Sequence, residues 1–428
     1  MNCHLLFHRL SVAVLLIFVC PARAEPVPAQ AASRFVDSIG VNVHAHGLYE
    51  RRHADLIPKL GDLGVRHIRD GAHPGACKLA VDFFQARGIK TTWITGRRVG
   101  GEKEYLSPLK PESIDDELRD IRERALEATV AIEGPNEYDI HSDKRDPDWP
   151  TTLRRYQQLV FEKIKADEKL RALPVIGPSL TSEEAYKKVG DLDAWIDFAC
   201  VHHYQSTRHP GTPGWGPNGY GSIDWALKYL VARQSPTGKP LISTECGYQP
   251  GGGDHISETA EAKYLPRMYA EFFRRGYFRS FKYELLGNEW GLLRDDLSER
   301  PAFVALKNLI AILRDDGSEK SASDTLDFSI TNAPRDLHRL LLRKSDGAFY
   351  LVLWREVPSW DVEKKRDLSP APVETALKLP ADSRVELFAP SASSAPQQEF
   401  GATANVALQV ADALMIVRIT PLPHSAPP

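Results

Sequence analysis

Between residues 36 and 315 the chain alternates short apolar runs with longer stretches that carry apolar residues at helical spacing. The short runs fall at 35–44, 65–70, 89–95, 129–133, 174–177, 198–204, 240–244 and 280–286. Helical periodicity occupies 56–63, 80–87, 114–127, 153–170, 223–232, 258–275 and 302–313, with a weaker stretch at 182–188. Near-continuous apolar runs suit strands buried on both faces, the situation of a parallel sheet covered by helices. Eight such strand–helix units in series predict an α/β fold of the (β/α)8 barrel type rather than an open doubly wound sheet. No Gly-rich phosphate-binding turn opens the first helix, which further disfavours a dinucleotide fold.

A barrel needs about 250 residues, and the 428 residues here leave room for a smaller module. After residue 315 the composition changes. The segment 315–324 is polar and turn-like, and the runs 337–343 and 349–354 flank the hairpin signal Asp346-Gly347. Further strand-like runs at 374–379, 385–388 and 414–420 complete an expected antiparallel β-sandwich over 322–420. The Pro-rich tail 421–428 is expected to lack fixed structure.

The first residues read as a processing segment. Arg9 precedes the apolar run 11–19, and Ala22-Arg-Ala24 has the small residues of a secretory cleavage site. That run is too short to span a bilayer, which needs about twenty apolar residues. A signal peptide over 1–24, cleaved near Ala24, predicts a secreted or periplasmic protein. Its removal takes away Arg9 and Arg23 and no acid, moving the net charge from −3 to −5. A mildly acidic surface offers no electrostatic case for nucleic acid or an anionic membrane. Cys77, Cys200 and Cys246 remain, an odd number; Cys200 and Cys246 fall on core strands, where a free thiol acts as a small hydrophobe.

Two glutamates stand where apolar runs give way to loops. Glu137 follows 129–133 in Glu133-Gly-Pro-Asn-Glu137, and Glu245 follows 240–244. In a parallel barrel the C-terminal ends of the strands hold the chemistry. Two facing carboxyls there are the minimum equipment for cleaving a glycosidic bond, one donating a proton to the leaving oxygen and the other attacking the anomeric carbon.

The Asn136-Glu137 pair after the fourth run and Glu245 after the seventh resemble the clan A glycoside hydrolases, (β/α)8 retaining enzymes that include cellulase and xylosidase families. The resemblance spans the whole predicted barrel. It implies that Glu137 is the acid/base and Glu245 the nucleophile of a double displacement on a poly- or oligosaccharide, without cofactor or metal. It also implies roles for the residues around them. His202-His-Tyr204 matches the clan's His-any-Tyr pattern, so Tyr204 would orient Glu245 and His202 would contact sugar or carboxylates. Arg69 occupies a position where the clan carries an arginine beside the nucleophile, and Asn136 would bond the sugar 2-hydroxyl. On the eighth run Glu284 is placed to bind sugar hydroxyls and Trp290 to floor the subsite.

Trp149, Trp215, Tyr220, Tyr248 and Trp290 gather in the expected rim loops, where flat rings would stack on sugar C–H faces. Two other functions fit parts of the pattern. His44-Ala-His46 at the end of the first run is the ligand pair of an amidohydrolase-type metal enzyme, but the fifth run has no His and the eighth offers Glu284 rather than Asp; His44 is then a rim residue touching sugar. A non-catalytic carbohydrate-binding barrel would keep the aromatics and lose one glutamate, yet both are present.

Overall fold

The computed structural model describes residues 25–96, 108–140, 146–315, 317 and 325–422. The expected signal peptide, most of the 315–324 connection and tail residues 423–428 lie outside these. Eight parallel strands form a barrel: β1 Ile39–Asn42, β2 His67–Gly71, β3 Lys90–Ile94, β4 Thr129–Glu133, β5 Val175–Ile176, β6 Ala199–His203, β7 Leu241–Cys246 and β8 Tyr277–Lys282. Their order is β5-β4-β3-β2-β1-β8-β7-β6, and a bridge between Ile176 and Phe198 closes the ring. The expected boundaries shift at two strands. Residues 35–37 of the first run belong instead to a helix (Ala32–Asp37), and β8 ends at Lys282 so that Tyr283 and Glu284 lie beyond it.

Inside the barrel, Ala131, Ile176, Cys200, Ile242 and Phe281 form a closed apolar layer. Gly40 on β1 makes room for it: a Cβ there would sit 2.5 Å from the Phe281 ring. Cys77, Cys200 and Cys246 are all buried. Above that layer the interior turns polar. Here β7 bulges: Val201 and His202 of β6 pair with Ser243 and Glu245, leaving Thr244 as an extra residue. A bulge overrides the strict in–out alternation of a strand, so the neighbours Thr244 and Glu245 both reach interior partners, Glu133 and Arg69 respectively.

The second domain is built from β9 Thr325–Thr331, β10 Leu337–Arg343, β11 Phe349–Arg355, β12 Val373–Phe388, β13 Gln398–Val410 and β14 Met415–Pro421. Its strands form one continuous hydrogen-bonded sheet rather than two. The long strand β12 carries the chain across: its first half pairs with β9, its second half with β14, with a register shift between Lys378 and Ser383. Leu377, Leu379, Val406 and Leu408 share one apolar core with Leu351, Leu353, Val417 and Ile419; where a sandwich of two sheets was expected, these strands make a single, mostly antiparallel sheet. Two corrections follow at the ends. Glu25–Pro28 pairs with β9 and Gln30–Ala31 with β10, so the domain is not confined to 322–420; prolines are tolerated in such short edge strands. Pro421, expected in the loose tail, closes β14 opposite Ser383.

The run Phe349–Arg355 does not alternate in polarity because both of its faces are buried. Phe349, Leu351 and Leu353 face the domain's own core, whereas Tyr350, Val352 and Trp354 join the barrel's. The docking partner is helix Glu258–Arg274, whose polar side meets the second domain. Glu356 anchors this joint. Its Oε1 accepts from Arg267 Nη2 at 2.5 Å, His209 at 2.7 Å and Gly211 N at 3.0 Å, and its Oε2 accepts from Trp354 Nε1 at 2.6 Å. Among the described residues no helix is long and apolar enough to cross a membrane.

Burial alone would raise the Glu356 carboxyl, but Arg267 and His209 together bring it from 4.5 down to about 2. A depressed carboxyl contributes stability that is complete above its unfolded value and lost as pH falls through the folded one. Glu356→Gln is therefore expected to lose on the order of 3 kcal/mol at neutral pH. Its melting temperature should also fall less steeply than wild type between about pH 4.5 and pH 2. Parallel pH series of thermal melts check both.

Candidate functional site

The site lies at the C-terminal rim of the barrel, around one buried guanidinium. Arg69 on β2 is 1% exposed, and each of its five N–H groups has an acceptor. Nε and Nη2 grip Glu133 Oε2 and Oε1 at 2.6 and 2.9 Å. Nη1 donates to Asn42 Oδ1 and to Glu245 Oε1, each at 2.9 Å. The remaining Nη2 proton goes to Asn136 Oδ1 at 2.7 Å. Asp70, next in the strand, faces away and accepts from Ala45 N and Gly71 N; it is not the partner of Arg69.

Glu245 is held on three sides. Besides Arg69, Tyr204 donates its hydroxyl to Oε2 at 2.9 Å, and His202 Nδ1 stands 3.6 Å from the same oxygen. Burial favours the neutral acid, but His202 and Arg69 outweigh it, with the Tyr204 bond adding to them, and the carboxyl lies below its usual value. Burial and the adjacent Glu245 charge push the Tyr204 hydroxyl well up, so it stays a neutral donor.

Glu137 is placed by the loop after β4. Its backbone sits in the left-handed region at φ 43°, a conformation that strains a residue with a side chain. The following β5 loop holds it there: Glu137 N donates to Ser179 O at 3.1 Å and to Ser179 Oγ at 3.3 Å, and Asn136 bridges to Ser179. The carboxylate meets His202, with Nδ1 to Oε1 at 2.6 Å. One oxygen from each glutamate and a ring nitrogen of His202 all lie within 4.8 Å of one another. The His202 side chain is only 3% exposed. Burial would lower its pKa, but Glu245 and the bond to Glu137 outweigh this and raise it above its usual value, so that one imidazole touches both side chains. His203, on the other face, is buried against Tyr277 and Phe272.

The β1 and β8 loops supply a second polar group. Glu284, joined to Tyr283 by a cis peptide, accepts from Tyr49 Oη at 2.9 Å and lies 3.2 Å from His44 Nε2. Tyr283 stacks edge-on with both His44 and Trp290, and Trp290 meets Tyr204 edge-on at 5.6 Å. The nine residues singled out in the sequence thus gather at one end of the barrel. The rim aromatics divide. Trp149 and Tyr248 are buried, Trp149 in the first turn of helix Trp149–Ala166 and Tyr248 against Tyr264, and neither is available to a sugar. Trp215 and Tyr220 are exposed. The glycine-rich loop that carries them is tightly built, with the Trp215 ring lying on Gly221 where a Cβ would meet it at 2.1 Å.

Asn42, Tyr49, Glu133 and Tyr283 were not singled out in the sequence. Asn42 interrupts an apolar run and Glu133 ends one, which is a signal; Tyr49 and Tyr283 give none. His46 is exposed, its ring 5.8 Å from that of His44, which turns to Glu284. Among the described residues two clusters have ligand atoms close enough for a cation, Glu137–His202–Glu245 and Glu271–His338–Glu356. In both, arginines already face the carboxylates: Arg69 in the first, Arg274 and Arg267 in the second.

A (β/α)8 barrel with an attached β-domain is a fold this chain shares with solved glycosidase structures. Among solved structures, a family 39 glycoside hydrolase from Bacteroides cellulosilyticus superposes with a TM-score of 0.63 at 15% identity, over 92% of this chain and 83% of its own. A glucosidase from Croceicoccus marinus gives a TM-score of 0.64 at 12% identity, over 94% and 98% respectively. At such identities the likeness is one of fold. No family model matches the chain, and no curated protein matches it by sequence.

Removing the Tyr204 hydroxyl takes a donor from the charged form of Glu245 and so raises its pKa. Tyr204→Phe is expected to move the Glu245 midpoint upward, because one charge-assisted bond to the ionised form is lost. Side-chain carboxyl titration by 13C NMR reads it.

Proposed function

We propose that this protein is a retaining glycosidase acting on a poly- or oligosaccharide, with Glu245 as nucleophile and Glu137 as acid/base. The observation that carries the reading is the closeness of the two carboxylates at the barrel rim, within 4.8 Å oxygen to oxygen. Retaining enzymes hold their carboxyl groups about 5–5.5 Å apart, whereas inverting ones leave about 6.5–9.5 Å for a water between them.

In the first step Glu245 attacks the anomeric carbon as the bond to the leaving oxygen breaks and that oxygen takes the proton of Glu137. Arg69 and Tyr204 keep Glu245 ionised and aimed. Attack turns the Glu245 carboxylate into a neutral ester and leaves Glu137 ionised, ready to take a proton from the incoming water. That water displaces Glu245 and restores both groups. Asn136, anchored by Arg69, is offered to the sugar 2-hydroxyl; Glu284 and His44 to hydroxyls on the far side of the ring; Trp290 to its apolar face. In this reading residues 1–24 are a signal peptide and the enzyme works outside the cytoplasm.

Glu245→Ala is expected to abolish hydrolysis of aryl glycosides, and azide to restore part of it as a glycosyl azide of inverted configuration. Rescue in Glu137→Ala with retained configuration, and none in Glu245→Ala, would reverse the two roles. Tyr204→Phe should lower kcat roughly ten- to a hundredfold with little change in KM, since the bond matters most at the transition state. Activity should survive EDTA; loss on chelation, restored by zinc, would move the function to a metal-dependent hydrolase.

A further inference from the structure

One buried charge at the site has no task in the proposed reaction. Glu133 closes β4 and is fully buried, out of reach of solvent and of a sugar in the cleft. Its two oxygens take the forked edge of Arg69, at 2.6 and 2.9 Å. Thr244 Oγ1, the extra residue of the β7 bulge, donates to Oε1 at 3.0 Å, and Cys200 Sγ lies 3.9 Å from it.

The fork of a guanidinium matches a carboxylate so well that the two pair bidentately wherever geometry allows. A nucleophile gripped in that way would have both oxygens engaged by one cation and its lone pairs turned from the substrate. Here the fork is already occupied, and Glu245 receives a single N–H from Nη1 on Oε1. Its Oε2 is left to Tyr204. We infer that Glu133 is a positioning residue for the nucleophile: by occupying the bidentate edge of Arg69 it limits Glu245 to one bond from the guanidinium and shares the positive charge with it. This rests on the nucleophile role given to Glu245 above.

The titratable groups that face Glu245 or its cation are His44 after β1, Arg69 from β2, Glu133 and Glu137 from β4 and its loop, Cys200, His202 and Tyr204 from β6 and its end, Cys246 from β7, and Tyr283 after β8. Replacing Glu133 by Gln alters one charge among them and keeps the shape. With one negative charge fewer nearby, the Glu245 proton is held less tightly. Glu133→Gln should therefore show a kcat lowered on the order of tenfold, the loss of one well-placed interaction. It should also show an acid limb of kcat/KM displaced to lower pH, because that limb reports the free enzyme's ionisations. The substrate is the aryl glycoside that the wild type hydrolyses, and folding is verified by thermal melting. Removing one partner of a buried ion pair can unfold a protein; if so, Glu133→Asp carries the test. It keeps the charge but is too short to span both nitrogens, so it should lower kcat and leave the acid limb in place. Wild-type kcat in the folded variant overturns the inference. So does a fall in kcat with an unmoved acid limb in Glu133→Gln, the outcome of lost packing alone. Neither result touches the assignment of Glu245, which the azide experiment decides separately.

Discussion

Arg69 has five N–H donors and five acceptors, drawn from β1, β4 and its loop, and β7. A buried cation with any of these unmatched would carry a large desolvation penalty, so the acceptors must arrive in register for the barrel to close as it does. That demand orders the upper interior. Asn42 presents Oδ1 to Arg69 while its amide bonds the carbonyls of Thr244 and Phe281, tying β1 to β7 and β8. The bulge in β7 brings Thr244 and Glu245 inward together, so one strand supplies both the support of Glu133 and the carboxylate proposed to react.

Around that centre charge is distributed rather than simply balanced. One guanidinium serves Glu133 and Glu245, and one imidazole stands between Glu245 and Glu137. In the proposed reaction Glu245 loses its charge on attack while Glu137 gains one on giving up its proton. The His202 ring, 2.6 Å from Glu137 and 3.6 Å from Glu245, is in reach of both groups throughout that exchange.

The second domain is joined to the same rim. Glu356 bonds His209 and Gly211 in the loop that leaves β6 just beyond Tyr204, and a Cβ on Gly211 would meet the Glu356 side chain at 2.5 Å. Lys365 reaches Asp254 in the loop after β7. Two of the loops that frame the site are thus braced from the C-terminal domain. Its sheet is buried on both faces at β11 for the same reason: one face makes its own core and the other covers helix Glu258–Arg274.

The sequence by itself determined the barrel, because eight short apolar runs separated by helical periodicity have few other ways to bury their apolar surface. It also determined the two glutamates and most of their attendants, since polar residues at the ends of such runs must lie at the rim. What it could not show was direction and distance. Glu133 and Glu137 end the same run region four residues apart; one is locked beneath the site on Arg69 and the other is turned into it by a left-handed backbone at φ 43°. That choice depends on Ser179 and Arg69, distant in sequence. Trp149 and Tyr248 looked like rim aromatics and became core because neighbouring elements cover them. The N-terminal strands went to the far domain because its sheet had open edges at β9 and β10, an opportunity that exists only once the sheet has formed.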